Sequence, residues 1–152
     1  MATPWLLIST YDANRIRRLM GNVLVGTRGP AFVRIFYEHL FQTNPDIRPL
    51  FPINMAAQAR KLLLTVSIVV KHLDREAELQ RVALHLRDVH SHIRIDDGHI
   101  ELFLASLAHA FQQVNGCAFP NQDWKNLRRA IFSLCQAMLS VSHHSGRLAP
   151  TG

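Results

Sequence analysis

Apolar residues recur every three or four positions through the middle of this sequence, and this spacing constrains the fold more than any other feature. The members of one such stripe are Leu79, Val82, Leu86 and Val89. Periodicity of this kind predicts amphipathic helices with one buried face. His90 follows one turn beyond Leu86, so it projects from the margin of the stripe.

The rest of the chain has the same character and predicts one all-α domain over residues 1–152. Helices are expected over about 56–73, 75–92, 99–114 and 121–141. Ser9 or Thr10 can cap a first helix, and Pro30 can open a second, because proline suits the first turn. A short helix starts at Pro45, confined by Pro49 and Pro52. The tail, about 142–152, has no apolar period and is expected to fray.

A polar residue also begins a second apolar face. Gln58 is followed at helical spacing by Leu62, Thr65 and Val69. The Gln58 amide and the His90 imidazole can therefore face each other across a dry pocket. Such a pocket suits a flat metal cofactor with one axial ligand and a hydrogen-bonding group on the opposite side.

Several motifs give this pattern a family resemblance. They are Gly29-Pro30, Phe36-Tyr37, Asn44-Pro45, Phe51, and Gln58 with Leu62 four residues and His90 thirty-two residues later. Together they resemble the globin domain of bacterial flavohaemoglobins and the related single-domain bacterial haemoglobins. The resemblance covers about residues 11–141, and the loop before Gln58 is a few residues shorter than usual for that family.

The resemblance implies a globin fold around haem b, with His90 as the ligand of the iron. Tyr37 and Gln58 would donate hydrogen bonds to a bound gas molecule, and Leu62 would restrict access to it. The other residues implied to contact the cofactor are Phe51, Lys61, Leu86, Val89, Ile95 and Ile100. Lys61 and Arg94 could pair with the carboxylates of the cofactor.

The sequence departs from the flavohaemoglobin pattern on the proximal side. In that family a Tyr and a Glu support the proximal His, but here Ile100 stands at the Tyr position, and the last Glu of the chain is Glu101. His90 is therefore expected to bond to a backbone carbonyl, as in oxygen-storing globins.

Three functions remain open at this stage. The first is reversible binding of oxygen, and of NO or CO, at a five-coordinate haem iron. The second is a nitric oxide dioxygenase half-reaction that needs a separate flavin reductase, because the sequence contains no flavin or nicotinamide site. The third is a gas or redox sensor or interaction module.

Composition and charge limit the classes of binding partner that the sequence predicts. The net charge of +6 is spread over helices without a nucleic-acid motif, so no nucleic acid is expected. We expect a cytoplasmic protein with no membrane span, as a monomer or homodimer, with Cys117 and Cys135 reduced. A mononuclear metal site at His90, His92 and His99, beside Asp96 and Asp97, is a weaker alternative, because His92 points away from His90 on a helix.

Overall fold

The computed structural model describes residues 8–148, with side chains placed through residue 139. These residues form seven helices and no β-strand. Six are α-helices, and we number them α1 (Thr10–Leu24), α2 (Arg28–Thr43), α3 (Ala56–Lys71), α4 (Glu76–Val89), α5 (Asp97–Asn115) and α6 (Asn121–Leu148). A 3-10 helix, Pro45–Leu50, joins α2 to α3. The all-α prediction is confirmed.

Several predicted boundaries were wrong. Helix α4 ends at Val89 rather than near His92, and α5 begins at Asp97 because Asp96 caps it. Helix α2 begins two residues before Pro30, and Pro49 lies inside the 3-10 helix rather than at its end. The backbone of α6 stays helical to Leu148, past the predicted end near Val141. The part of the predicted frayed tail beyond residue 148 lies outside the described residues.

Helix ends follow local chemistry where the sequence offers a cap. The Ser9 hydroxyl accepts a hydrogen bond from the N–H of Asp12, which confirms Ser9 as the cap of α1. Gly116 ends α5 with φ 86°, a left-handed conformation that glycine adopts without strain. Among the described residues, no helix is both long enough and apolar enough to span a bilayer.

The most extensive helix contacts are those of α2 with α5 and of α4 with α6. Phe32, Phe36 and Phe111 are among the largest fully buried side chains. An ion pair joins α1 to α6, in which Arg15 donates two hydrogen bonds, of 2.9 and 2.8 Å, to the buried carboxylate of Asp123. These contacts fix α2 at the centre of the fold, where it can support a site between α3, α4 and α5.

The contact between α2 and α5 includes two imidazole rings. His39 Nδ1 lies 2.8 Å from Oγ of the fully buried Ser106, and the rings of His39 and His109 stack with centroids 4.5 Å apart. Burial, and after it the neighbouring His109, lower the pKa of His39. The folded state therefore favours a neutral His39.

We expect the free energy of unfolding to decrease as the pH falls below about 6.5, the ordinary pKa of histidine. Because the pKa of His39 is lower in the folded chain, the unfolded chain takes up this proton first, and the stabilisation is lost as the pH falls through the folded pKa. Urea unfolding at about pH 8 and about pH 5.5 measures the loss. The decrease in the free energy of unfolding between these two pH values should be smaller in His39→Gln than in the wild type. It should be unchanged in His92→Gln, since His92 is exposed. An unchanged loss in His39→Gln would contradict the assignment.

Candidate functional site

A cavity of about 480 Å³ lies between α2, α3, α4, α5 and α6, a volume typical of cofactor and ligand sites. All ten predicted site residues line it: Tyr37, Phe51, Gln58, Lys61, Leu62, Leu86, Val89, His90, Ile95 and Ile100. The described wall is otherwise mostly apolar and contains no carboxylate. The arrangement suits a large apolar group that carries negative charge at its edge.

His90 lies at the end of α4, as the residue that caps the helix. Its N–H donates to the carbonyl of Leu86 at 2.9 Å, and its ring Nδ1 lies 2.8 Å from the same oxygen. Ser91 also bonds back to α4, through its N–H and its hydroxyl to the carbonyl of Asp88. Because a carbonyl only accepts hydrogen bonds, Nδ1 must carry the proton. The lone pair of Nε2 is then left available for a metal ion.

The proximal support of His90 is a neutral group, as the sequence predicted. The carboxylates nearest to it in sequence bond elsewhere: Asp88 accepts from Arg87, and Asp96 accepts from the N–H of His99. Glu101 pairs with Arg128 at the surface. Ile100 is buried and contributes only apolar surface to the cavity. The structure therefore gives His90 a carbonyl partner where a flavohaemoglobin would offer an anionic network.

Tyr37 and Gln58 meet on the α2 and α3 side of the cavity. The Gln58 amide Nε2 donates to the Tyr37 hydroxyl oxygen at 3.4 Å. Because the amide uses the lone pair of the hydroxyl, the O–H proton of Tyr37 stays free to donate to a third group. Burial raises the pKa of Tyr37, and the bond from Gln58 only partly opposes that shift. Tyr37 thus remains a protonated hydrogen-bond donor.

Aromatic packing holds Tyr37 in position. Its ring stacks on Phe41 with centroids 5.7 Å apart and meets Phe36 and Phe51 edge-on at 5.1 and 5.7 Å. Gly29 lets α2 approach α3 closely, since a Cβ there would lie 3.1 Å from a methyl group of Leu63. Phe36 also meets Phe103 of α5 edge-on, with centroids 5.1 Å apart.

The structure adds residues to the cavity that sequence reasoning missed. His85 and His99 line it, together with Cys135 and Met138 from α6. Burial raises the pKa of the Cys135 thiol to about 11, which keeps it protonated at neutral pH. The periodicity of α6 predicted a core face but gave no signal that this face borders a cavity.

The two basic residues that the sequence analysis considered as partners of cofactor carboxylates both lie at the cavity. Lys61 and Arg94 are exposed and line the cavity from α3 and from the loop after α4. The alternative metal site is not formed: the side chains of Asp96 and His99 bond to each other's backbone N–H in a capping box, and His92 is exposed. No group of three metal-ligating side chains occurs in the part of the chain that the structure describes.

Comparisons with known proteins agree with this geometry. The family model of the globins matches residues 34–138. A flavohemoprotein of Vibrio cholerae serotype O1 is 23% identical over 119 residues, an alignment that covers 76% of this chain and 30% of that protein. The chain thus spans about a third of the length of this relative. Because the family model covers most of the described helices, the chain belongs to the globin family, whose members bind haem and diatomic gases.

Proposed function

We propose that the cavity holds haem b with His90 Nε2 as the ligand of the iron, and that the protein binds oxygen reversibly. The observation that carries the proposal is the 2.8 Å bond between His90 Nδ1 and the Leu86 carbonyl, because it fixes the tautomer that a metal ligand needs. Haem, when bound, would supply an iron atom that can bind a diatomic gas.

The remaining residues supply binding and orientation. The apolar wall excludes water, and Lys61 and Arg94 are placed to pair with the carboxylates of the cofactor. From the α2 and α3 side of the cavity, the free O–H proton of Tyr37 and the second amide N–H of Gln58 would donate to a polar gas ligand. Such bonds retain oxygen more than carbon monoxide, which is less polar when bound.

Reconstitution of the purified protein with haem tests the proposal. We expect uptake of one haem per chain and, after reduction with dithionite, the absorption spectrum of a five-coordinate ferrous haem that shifts on addition of carbon monoxide. Failure to bind haem, or haem bound without a free axial position, would contradict it.

Resonance Raman spectroscopy of the reduced protein tests the proximal contact. An imidazole bonded to a neutral carbonyl donates less electron density than one bonded to a carboxylate. We therefore expect the iron–histidine stretch in the range of oxygen-storing globins and below that of flavohaemoglobins. A peroxidase-like frequency would mean that a carboxylate, such as that of Asp88 or Asp96, reaches His90 in the loaded protein.

A nitric oxide dioxygenase half-reaction is the second candidate, and the similarity to a flavohemoprotein favours it. This activity would need a separate flavin reductase as partner. Steady consumption of nitric oxide over many turnovers in the presence of oxygen and a cellular reductase would support it. The neutral partner of His90 favours oxygen binding over this activity.

A further inference from the structure

A second cavity lies on the outer side of α2 and α3. It is a groove of about 540 Å³ that is open to solvent. Its floor is apolar and includes Val33, Phe41, Ala59 and Leu63. Charged residues stand at its rim, where Arg34 pairs with Glu38, and Arg48 donates to the carbonyls of residues 51–53.

Tyr37 is the one described residue that lines both this groove and the cavity beside His90. Helix α3 shows the same division residue by residue. Gln58 and Leu62 line the inner cavity, whereas Ala59 and Leu63, the next residue in each case, line the groove. At Tyr37 the wall between solvent and the inner cavity is therefore a single side chain.

The restraint on the hydroxyl end of Tyr37 is weak. The distance of 3.4 Å between Gln58 Nε2 and the Tyr37 oxygen exceeds the usual range for a hydrogen bond, about 2.7 to 3.2 Å. The aromatic contacts of the ring are with residues of α2 and with Phe51, and Tyr37 also lines the groove. A change of side-chain torsion at Tyr37 would displace the one described side chain that lines both cavities.

We propose that the groove between α2 and α3 is the route by which diatomic gases reach the inner cavity, with Tyr37 as its gate. The inference rests on the proposed function, since it assumes a gas site inside. A small apolar gas partitions favourably into an apolar groove, and it needs no charged group to guide it. The exposed basic residues of the inner cavity, Lys61 and Arg94, would instead pair with the carboxylates of the proposed cofactor.

Bulky substitutions in the groove test the route. Ala59→Trp and Ala56→Trp place an indole in the groove, because both alanines line it. Ala57→Trp is the matched control, since Ala57 lies between them on the same helix, is exposed and lines neither cavity. The measurement is carbon monoxide binding to the haem-reconstituted ferrous protein, by flash photolysis for association and by ligand replacement for dissociation.

A blocked route raises the barrier between two unchanged end states. In both groove variants the association and dissociation rate constants should therefore fall by the same factor, about tenfold, while the equilibrium constant stays that of the control. Rate constants within about twofold of the Ala57→Trp values in both variants would overturn the route. A change confined to one of the two rate constants would overturn it as well, because that result means an altered binding site.

The two proposals fail in different ways. If the wild-type protein forms no carbon monoxide complex, both the gas site and the route are wrong. If the complex forms with its full spectral shift but the groove variants bind at the control rates, only the route is wrong.

Discussion

Replacement of His90 by alanine is expected to remove the wild-type Soret spectrum of the haem-reconstituted protein. His90 is the residue whose Nε2 is left available as a ligand, because its Nδ1 bonds to the Leu86 carbonyl. Without that nitrogen, haem should be lost or held weakly through another group, such as His85 or His99 on the cavity wall. The measurement is a haem titration followed by absorption spectra of the ferric, reduced and carbon monoxide forms.

His92→Ala is the matched control for this variant. His92 is two residues away, exposed, and does not line the cavity, so its removal should leave the spectra and haem affinity unchanged. A wild-type spectrum in His90→Ala would contradict the assignment of His90 as the ligand of the iron. Loss of the spectrum in both variants would point to general damage to the segment after α4.

Replacement of Tyr37 by phenylalanine should accelerate oxygen dissociation about tenfold or more, because it removes a donor worth about 1.5 to 3 kcal/mol in a charge-assisted hydrogen bond. The ring and its contacts with Phe36, Phe41 and Phe51 are retained. Carbon monoxide dissociation should change little. Stopped-flow displacement of each gas gives the two rate constants.

Gln58→Leu should act in the same direction. Because the Gln58 amide donates to Tyr37, the two residues form one network. The loss of oxygen-binding free energy in the double variant should therefore be smaller than the sum of the losses in the two single variants. Similar effects of Tyr37→Phe on both gases would indicate a steric disturbance rather than a lost hydrogen bond.

The residues around the cavity could be predicted from the sequence because their signals are local or have fixed spacing. The apolar stripe on α4 and the intervals between Gln58, Leu62 and His90 are properties of helices, and helices α3 and α4 form as predicted. The carbonyl partner of His90 followed from the missing Tyr and Glu. Its identity, Leu86, follows from the four-residue repeat of the helix.

Helix ends were harder to predict because hydrogen bonds of single residues, rather than apolar periodicity, decide them. No glycine or proline marks the end of α4, yet its regular turns stop at Val89, just before the ring of His90 bonds back to Leu86. The start of α5 has a local signal, since Asp96 precedes His99 at capping-box spacing, and the helix begins at Asp97, two residues before the predicted start. The hydrogen bonds of the capping box stabilise this helix start although Gly98 lies in the first turn.

The groove and the stacked imidazoles are formed by residues on different helices, and the sequence alone does not show which of these residues come into contact. His39 and His109 are seventy residues apart, and only the packing of α2 on α5 brings their rings into contact. In the same way, Tyr37 borders two cavities because Ala59 is small and Gly29 allows a close approach of α2 to α3. Periodicity identifies a buried face but does not show where that face leaves a space.

The most direct test of the central claim is an oxygen cycle on the reduced, haem-loaded protein. The absorption spectrum is recorded under nitrogen, after admission of oxygen, and after oxygen is removed again. We expect a distinct oxygenated spectrum that returns to the five-coordinate ferrous spectrum, because His90 would be the protein ligand of the iron and Tyr37 and Gln58 would donate hydrogen bonds to the bound gas. Immediate conversion to the ferric spectrum, or no change on admission of oxygen, would contradict reversible oxygen binding.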